Sequence, residues 1–550
     1  MERTEPKVAD DNDYDVIVIG SGAAGLCAAL SASARGSRVL VIEKSNLIGG
    51  TSALSGGGIW APCHHYQAEV GASDSREEAL DYIRAIAPQG WHNVEEPLWV
   101  AFVDYAPEML AFVETHSPLR FAPSLEPDPY VEAPGGKRFG RMLSPRPISA
   151  LSLGSWRKRI RGPMFSPWIN YQEVHDNDFY AQSTRLLLRL APRMFFGMVT
   201  GKRVMGSALV VGLLRGCLQK NCAIWTNAPA QRLSLRDGRV VAVELKRGNG
   251  SVTVRARKGV VLASGGFEWN EQMMAEHFPG PVEWTGSPST NTGDGQRMAL
   301  DVGAKLDRMD QALLFGTKAV SYEGSVRGSP AGDYYMPHSM VVNQHGQRFM
   351  NEKAMNFALA FDEKDPESGA PLHLPAWRIY DSQFASKYPM ALPKTNEFAA
   401  RVMDRTLQGL AYQIEVDPAG LEETAARFSG FARAGRDEDF GRGETFWDRH
   451  RMADPNNAPN PTLGSIEVPP FYAYPFKLSF LGTKGGARTN ERGQVVDQEG
   501  AVIPGLYAAG NVMANPFGTK AVGAGTTLGP CLTWGYICGV HAHQERSIKK

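Results

Sequence analysis

Three glycines and one glutamate near the start of the chain have the spacing of a dinucleotide-binding site. Gly20, Gly22 and Gly25 form the pattern G-x-G-x-x-G, and Glu43 follows 18 residues after the last of them. The first glycine permits a tight turn, the second lets a pyrophosphate approach the backbone, and the third lets a helix pack closely. The acid can accept hydrogen bonds from ribose hydroxyls. This stretch therefore predicts binding of a dinucleotide cofactor.

The elements around these residues are those of a βαβ unit. Apolar runs at residues 16–19 and 39–42 predict buried parallel strands, and the Ala- and Leu-rich segment 26–34 predicts the helix between them. The N–H groups at the start of that helix would face the anion, where the helix dipole favours negative charge. The alternative is a structural glycine turn in an ordinary α/β unit. The predicted cofactor contacts here are Gly20, Ser21, Gly22, Ala23, Ala24, Gly25, Glu43 and Lys44.

A second glycine-rich stretch, GGTSALSGGGIWAP at residues 49–62, narrows the choice of dinucleotide. It resembles a turn of the fumarate reductase and ketosteroid dehydrogenase superfamily of flavoproteins, in its ketosteroid dehydrogenase form. In that family the turn runs past the pyrophosphate and beneath the flavin, which implies FAD. Covalent relatives carry a histidine just before this turn, where Leu47 and Ile48 stand here, so the resemblance implies non-covalent FAD. A flexible loop is the alternative for the three glycines 56–58. The implied contacts are Gly50, Thr51, Ser52, Ser55, Gly56, Gly57 and Gly58.

Further segments resemble the same superfamily over most of the chain, from Tyr14 to His541. They are A-S-G-G-F at 263–267, T-G-D-G-Q-R-M-A at 292–299, and I-P-G-L-Y-A-A-G-N at 503–511. Residues 523–530 resemble the start of the last helix, whose N–H groups would stabilise negative charge on the reduced flavin. The resemblance implies cofactor contacts from Ala263, Gly265, Asp294, Gly510, Asn511, Gly525, Thr527 and Leu528.

The predicted fold class is α/β, a Rossmann-like FAD-binding domain with an inserted α+β catalytic (capping) domain. The polar residues 1–13 are predicted to be disordered, and 14–315 form the first part of the FAD-binding domain, with a helical excursion at 59–205. Residues 316–478 are irregular and rich in proline and tyrosine, and form the catalytic domain; 479–550 complete the FAD-binding domain. Helices are predicted at 76–86, 97–115, 185–199 and 206–219, and a β-meander at 223–263.

The composition excludes several classes of function. The chain has 58 Lys and Arg residues and 58 Asp and Glu residues, so no net charge points to nucleic acid. Its six cysteines contain no C-x-x-C pair, and neither a disulfide framework nor a metal site is predicted. The N-terminus lacks an apolar signal segment, and no run of eighteen apolar residues occurs. A cytoplasmic protein is the expectation.

Two segments could make a peripheral contact with a membrane. Residues 157–161 and 185–203 carry basic residues among Leu, Met and Phe. Such a segment could lie on a membrane surface, where an apolar substrate would be found. It could equally be a core helix with solvated arginines.

Residues 518–525 distinguish two branches of the superfamily. Fumarate reductases bind a dicarboxylate through the arginine of G-x-N-R-x-G-G-N, and Ala521 stands at that position. Loss of the two-pronged guanidinium argues against a dicarboxylate substrate. Ketosteroid dehydrogenases have Y-P-G-A-G, with a proton-donating tyrosine and a glycine whose N–H binds the ketone oxygen. Gly525 matches that glycine, but Ala521 replaces the tyrosine, and the family's proton-abstracting tyrosine would fall near Asn356 and Phe357.

Other residues could supply the missing groups. In the family reaction a base removes the proton α to a ketone while the β hydrogen leaves as hydride to flavin N5, and hydrogen-bond donors stabilise the enolate oxygen. Tyr130 lies in a loop resembling P-D-Y-Y-P-E-x-P-G-G, and Tyr472 lies in P-F-Y-A. Tyr335 and His338 precede the strand of the segment 337–352, which resembles V-N-x-x-G-x-R-F-x-N-E. Lys520 could polarise a carbonyl. A packing or solvated role is the alternative for each.

We therefore expect an FAD-dependent dehydrogenase that desaturates a C–C bond adjacent to a ketone of a steroid-like alicyclic substrate, in an apolar chamber without guanidinium groups. A fumarate-reductase-like reductase of a small unsaturated acid and a non-catalytic flavin-binding protein are the alternatives. No NAD(P)H site is visible, so the electron acceptor stays open, with a quinone as one candidate.

Overall fold

The computed structural model describes residues 12–164, 169–177, 179–181, 183–278, 284–330, 332–355, 357–367, 369–393, 396, 399–519 and 522–547. The predicted disordered segment 1–13 lies mostly outside these residues, but Asp13 already begins the first strand. Asn356, Lys520 and Ala521 also lie outside the described residues.

The described residues form the strands and helices of two lobes. The first lobe is built on the main sheet around β1 (Asp13–Ile19), and the second on an antiparallel sheet within residues 312–483. In chain order the strands are β1 (Asp13–Ile19), β2 (Val39–Ile42), β3 (Ile59–Trp60), β4 (Phe121–Pro123), β5 (Met142–Pro145), β6 (Ile148–Ser149), β7 (Lys202–Arg203), β8 (Ala223–Trp225), β9 (Ala230–Arg236), β10 (Arg239–Arg247), β11 (Gly250–Leu262), β12 (Leu306–Asp307), β13 (Ala312–Tyr322), β14 (Ser325–Pro330), β15 (Ser339–Val342), β16 (Ala376–Asp381), β17 (Val402–Asp404), β18 (Phe471–Thr483), β19 (Gly486–Ala487), β20 (Gln494–Val496) and β21 (Val502–Ala508). The helices are α1 (Ala23–Ala34), α2 (Gly50–Leu54), α3 (Arg76–Ile86), α4 (His92–His116), α5 (Tyr171–His175), α6 (Ser183–Val199), α7 (Met205–Gln219), α8 (Glu271–His277), α9 (Asp294–Asp301), α10 (Ser382–Lys387), α11 (Leu407–Gln413), α12 (Pro418–Ala434), α13 (Phe446–His450) and α14 (Leu528–Gln544).

The main sheet has the strand order β20-β21-β11-β1-β2-β8 within the described residues. β1 lies parallel between β11 and β2, with Val16 opposite Val39. Val16, Ile17 and Val18 are fully buried, as expected of a parallel strand covered on both faces. Helices α1 and α14 pack against each other beside this sheet. The predicted strand–helix–strand unit is therefore confirmed.

The predicted β-meander at 223–263 is partly wrong. β8 pairs in parallel with β2, with Leu40 opposite Ala223, and so belongs to the parallel sheet. β9 and β10 are antiparallel neighbours, and β10 pairs with the first half of β11. β11 continues as one strand from Gly250 to Leu262, and its second half lies beside β1, with Gly259 opposite Val16.

The second lobe is built on an antiparallel sheet, although its sequence looks irregular. Its strand order is β14-β13-β18-β16-β15, with β17 also paired to β18. The predicted domain boundaries at 315/316 and 478/479 fall inside β13 and β18, so these two long strands themselves lead from one lobe to the other. Helix α12 of this lobe begins at Pro418, and the carboxylate of Asp417 accepts a hydrogen bond from Gly420 N–H.

The helices predicted at 76–86, 185–199 and 206–219 agree with α3, α6 and α7 to within two residues. The helix at 76–86 is confirmed, and Ser75 with Glu78 forms a capping box at its start. α4 is longer than the predicted 97–115, and α7 is almost entirely buried. No helix in the described part of the chain combines the length and apolar character needed to cross a bilayer.

Candidate active site

A cavity of about 420 Å³ lies between the two lobes. Its wall on the side of the main sheet comes from the residues that follow β1, β2 and β11. Its other wall comes from β13 and from loops of the second lobe. Ligands of α/β sheets bind at the carboxyl ends of the strands, which is where this cavity opens. The second-lobe residues in the wall include Leu313, Phe315, Tyr335, Met355, Arg451 and Met452.

The cavity collects nearly all of the predicted cofactor contacts. Gly25 is the exception, because it lies behind the turn: a Cβ there would stand 2.0 Å from the carbonyl oxygen of Gly20. Gly25 therefore permits the close approach of helix and strand that its place in the pattern predicts. The predicted residues that line the cavity are Gly20, Ser21, Gly22, Ala23, Ala24, Glu43, Lys44, Gly50, Thr51, Ser52, Ser55, Gly56, Gly57, Gly58, Ala263, Gly265, Asp294, Gly510, Asn511, Gly525, Thr527 and Leu528.

The turn after β1 is shaped to receive an anion. Gly20 has a φ of 110°, and a Cβ there would lie 2.3 Å from the carbonyl oxygen of Ala263. Helix α1 begins after Gly22, which provides no side-chain cap, and no acidic residue stands in the first turn. Its N-terminus thus keeps the positive end of the helix dipole available to a phosphate group. The residues present fit the pyrophosphate of FAD.

Polar groups around the cavity are also arranged for a cofactor. The Glu43 carboxylate accepts hydrogen bonds from Ser21 N (3.2 Å) and Ser21 Oγ (2.6 Å), which fix it at the end of β2. Lys44 Nζ lies 2.6 Å from Asp294 Oδ2 and ties this corner to α9. Asn511 Oδ1 is buried beside the cavity without a partner among the described residues. A buried oxygen of this kind is costly unless a ligand satisfies it.

The start of α14 forms a further part of the cavity wall. Thr527 precedes the helix without capping it by its side chain, and Thr527 and Leu528 both line the cavity. The positive end of the dipole of α14 therefore lies at the cavity wall, where it could stabilise negative charge on a reduced flavin. The turn before the helix approaches the strand β3, since the backbone N–H of Trp60 donates to the Gly525 carbonyl oxygen.

Residues 15–528 match the family model described as the FAD binding domain. The chain belongs to this flavoprotein family. Its predicted FAD cofactor, its α/β fold with an inserted α+β domain and its predicted class, an FAD-dependent oxidoreductase acting on CH–CH groups, are confirmed.

Relatives of this flavoprotein align over almost the whole chain. A 3-oxosteroid 1-dehydrogenase of Mycolicibacterium smegmatis is 37% identical, with 96% of this chain and 97% of that protein covered. A 4-oxocyclohexanecarboxylate 2-dehydrogenase of Sinomonas cyclohexanicum is 34% identical, with 96% and 92% covered. Among solved structures, the 3-ketosteroid Δ1-dehydrogenase of Sterolibacterium denitrificans in complex with 1,4-androstadiene-3,17-dione has a TM-score of 0.90 at 34% identity, covering 97% and 100% of the two chains. The predicted superfamily is confirmed.

Of the predicted catalytic residues in this flavoprotein, Tyr335 and Gly525 line the cavity. Tyr335 is 4% exposed, and its hydroxyl lies 3.4 Å from the hydroxyl of Tyr334. Phe357, which stands near the expected place of the family's proton-abstracting tyrosine, packs against Tyr334 in an aromatic cluster. Tyr335 is thus the predicted tyrosine that the fold brings to the site.

Three of the predicted catalytic residues are not among the cavity-lining residues that the structure describes. His338 has a left-handed backbone (φ 63°), and its Nδ1 lies 2.8 Å from the carbonyl oxygen of Ser465, which indicates a packing role. Tyr472 stacks on Tyr380 with ring centroids 5.2 Å apart. Tyr130 lies in a loop beside the core of the first lobe. The prediction for Lys520 falls outside the described residues.

A cluster of polar residues in the cavity wall is not predicted from the sequence. Tyr171, His175 and Arg451 line the cavity, and Glu126 lies behind them. Arg451 corrects the expectation that the chamber contains no guanidinium group. Its Nε donates to Glu126 Oε1 at 2.5 Å, so its charge is paired. Tyr171 and His175 are one helical turn apart, but α5 has only five residues, too few for a periodic signal.

Proposed function

We propose that this protein desaturates a C–C bond adjacent to the ketone of a steroid-like alicyclic substrate. The observation that carries the proposal is the apolar wall that faces the cofactor turns across the cavity. That wall includes Ile169, Val174, Phe179, Phe315 and Met355, which suit a bulky hydrocarbon skeleton. FAD, when bound by the glycine turns, supplies the hydride acceptor. The 3-oxosteroid dehydrogenases among the relatives support the same reaction.

Anaerobic titration of the purified holoenzyme tests this proposal. We expect 4-androstene-3,17-dione or another 3-ketosteroid to bleach the flavin absorbance within seconds, and fumarate to leave reduced enzyme unoxidised. Bleaching by 4-oxocyclohexanecarboxylate alone would indicate a small keto acid as substrate, which the cavity-facing Arg451 could attract. If no ketone bleaches the flavin, the proposal is wrong and a non-catalytic flavin-binding role is favoured.

We also propose that helix α6 rests on a membrane surface. Its outward face carries Leu188, Phe195, Phe196 and Val199, each between 64% and 72% exposed. Its inner face packs on Ile169, which itself lines the cavity. Arg157, Lys158 and Arg159 are exposed on the segment Leu151–Arg159, and Leu151 in turn contacts Gly201 just after α6. An apolar helix face flanked by basic residues is typical of helices that bind the membrane interface. Binding of α6 in this way would place the cavity near steroid dissolved in the lipid.

Vesicle binding tests the membrane contact. The double variant Phe195→Glu/Phe196→Glu should reduce co-sedimentation with phosphatidylcholine–phosphatidylglycerol vesicles roughly tenfold or more, because burial of one Phe contributes about 1.5–3 kcal/mol. The matched control is Leu235→Glu/Val502→Glu, at exposed positions on β9 and β21. Equal binding of both variants would contradict the proposal. A membrane position would also suit a quinone as the electron acceptor. Reoxidation of the reduced enzyme by a short-chain ubiquinone tests this role.

A further inference from the structure

We propose that Tyr171, Glu126 and Arg451 form the proton-accepting group of this active site, in place of the tyrosines that the sequence lacks. This inference rests on the proposed desaturation of a ketone. The three residues come from different parts of the chain: a loop after β4, the short helix α5, and the residue after α13.

A hydrogen-bonded chain connects the three side chains. Tyr171 Oη donates to Glu126 Oε2 at 2.5 Å, and Arg451 Nε donates to Glu126 Oε1 at 2.5 Å. The Glu126 carboxylate is nearly inaccessible to solvent, with 2% of its side chain exposed. Tyr171 and Arg451 both line the cavity, so these hydrogen bonds lead from the cavity wall to Glu126 in the protein interior. Tyr171 can therefore accept a proton on its oxygen while it passes its own proton inward.

Tyr171 lies against the glycine turn that the resemblance places beneath the flavin. A Cβ on Gly56 would stand 2.8 Å from a ring carbon of Tyr171, and a Cβ on Gly58 would stand 3.3 Å from its Cζ. Gly58 in turn contacts Gly525, where a Cβ would lie 2.8 Å from the Gly58 carbonyl oxygen. The phenol is thus held beside the turn that separates the cofactor region from the proposed ketone-binding glycine.

The local fold holds this phenol rigidly. Asn170 and Glu173 form a capping box at the start of α5, which fixes Tyr171 as the first helical residue. Glu173 also forms an ion pair with Arg193 of α6. The ring of His175 lies 4.1 Å from that of Tyr171, between centroids. A preorganised group of this kind needs little rearrangement to react.

The charges favour a neutral phenol beside an ionised carboxylate. Burial alone would raise the pKa of Glu126, but the positive charge of Arg451 and the hydrogen bonds from Tyr171 and Arg451 lower it, as would His175 in its protonated form. Burial lowers the pKa of His175 to about 4, so this ring is neutral at pH 7 and Arg451 is the cation that remains. Burial and the adjacent Glu126 charge raise the pKa of Tyr171, which keeps its proton until substrate reacts.

The proton transfer can be written with all atoms and electrons balanced. The C–H bond α to the ketone breaks, and its proton forms a bond to Tyr171 Oη. The proton originally on Tyr171 moves to Glu126 Oε2, so the carboxylate becomes a neutral acid beside Arg451. The electron pair left on the α carbon forms the new C=C bond as the β hydrogen departs as hydride to the acceptor of the proposed function. Glu126 is therefore the final proton acceptor, and Tyr171 is the group that touches substrate.

Two readouts test this assignment with Tyr171→Phe and Glu126→Gln. The first is the rate of anaerobic flavin bleaching by a 3-ketosteroid, which should fall by about 10²–10⁴, the range typical of a lost general base. The second is exchange of the substrate's α hydrogens with D₂O, followed by mass spectrometry on enzyme whose flavin has been chemically reduced. It reports proton abstraction without hydride transfer, and both variants should lose it. FAD absorbance of each variant shows whether the cofactor is retained.

The control variant is Tyr412→Phe, which removes the hydroxyl of a tyrosine that is 68% exposed on α11. It should keep both the bleaching rate and the exchange. If Tyr171→Phe binds FAD yet bleaches and exchanges at the wild-type rate, the assignment is wrong. If Tyr171→Phe cannot hold FAD, the bleaching rate and the exchange of Glu126→Gln decide: loss of both supports the assignment, and wild-type values contradict it. If wild-type enzyme is not bleached by any ketone but still catalyses exchange, the proposed function fails while this inference stands.

Discussion

Replacement of Glu352 by glutamine is expected to lower the free energy of unfolding of the second lobe by about 3–5 kcal/mol, the cost of leaving buried charges without their partner. Glu352 is fully buried, and its Oε2 lies 2.9 Å from Arg348 Nη2 and 3.2 Å from Arg442 Nη1. Asp437 Oδ2 lies 2.9 Å from Arg348 Nη2. The glutamine variant would retain two buried guanidinium groups with one carboxylate between them.

The buried ion pairs around Glu352 also hold the active-site wall in place. Arg442 Nη2 donates to the carbonyl oxygens of Tyr335 and Met336, each at 3.1 Å, and its Nη1 donates to that of Ser339 at 2.8 Å. Loss of the Glu352 charge should therefore loosen the segment that presents Tyr335 to the cavity. We expect flavin bleaching to slow in this variant even where the protein remains folded.

Urea unfolding followed by circular dichroism measures the effect on stability. The control is Glu422→Gln, an exposed glutamate on α12 in the same lobe. Burial alone would raise the pKa of Glu352, but Arg348 and Arg442 lower it. A carboxylate with a lowered pKa in the folded state adds stability that is present above its unfolded pKa and lost as the pH falls through the folded one. The wild-type protein should lose this part of its stability on acidification, and Glu352→Gln should not. An unchanged unfolding midpoint would contradict the prediction.

The cofactor half of the site could be predicted from sequence because its chemistry is local. Gly20, Gly22 and Gly25 act through backbone geometry within one turn, and the short spacing to Glu43 places the acid at the end of the next parallel strand. Turns of this kind leave a readable pattern, since Gly20 and Gly25 have no room for a side chain and Gly22 leaves the backbone open to the pyrophosphate. The fold class followed from the same units.

The substrate half could not be predicted from sequence in the same way. Glu126, Tyr171 and Arg451 meet only because three distant segments converge, and nothing in their spacing records that contact. The candidates His338 and Tyr472 sit near sequence patterns typical of the superfamily, but the fold gives them packing positions. Strand β8 shows the same limit: its three residues look like the start of a meander, yet tertiary pairing puts them beside β2.

Replacement of Gly525 by alanine is expected to slow flavin reduction by a ketosteroid by about 10²–10³, the cost of losing one donor to a developing oxyanion. Gly525 has a φ of 81°, and an alanine Cβ would lie 2.7 Å from Trp60 N and 2.8 Å from the Gly58 carbonyl oxygen. Both are backbone atoms of the glycine turn and of β3, so neither can move aside alone. The Gly525 N–H, which the family resemblance implies would bind the ketone oxygen, must shift instead.

Gly500→Ala separates this crowding from backbone strain. Gly500 has a φ of 84°, but a Cβ there meets nothing within 4 Å. Both variants therefore carry a similar conformational cost of about 1–2 kcal/mol for a left-handed alanine, and only Gly525→Ala forces two backbone segments apart. Stopped-flow bleaching of variants with matched FAD content measures the difference. Equal rates for Gly525→Ala and Gly500→Ala would mean that the ketone oxygen is held elsewhere, whereas a selective loss at Gly525 would place the oxyanion at the N-terminal approach to α14.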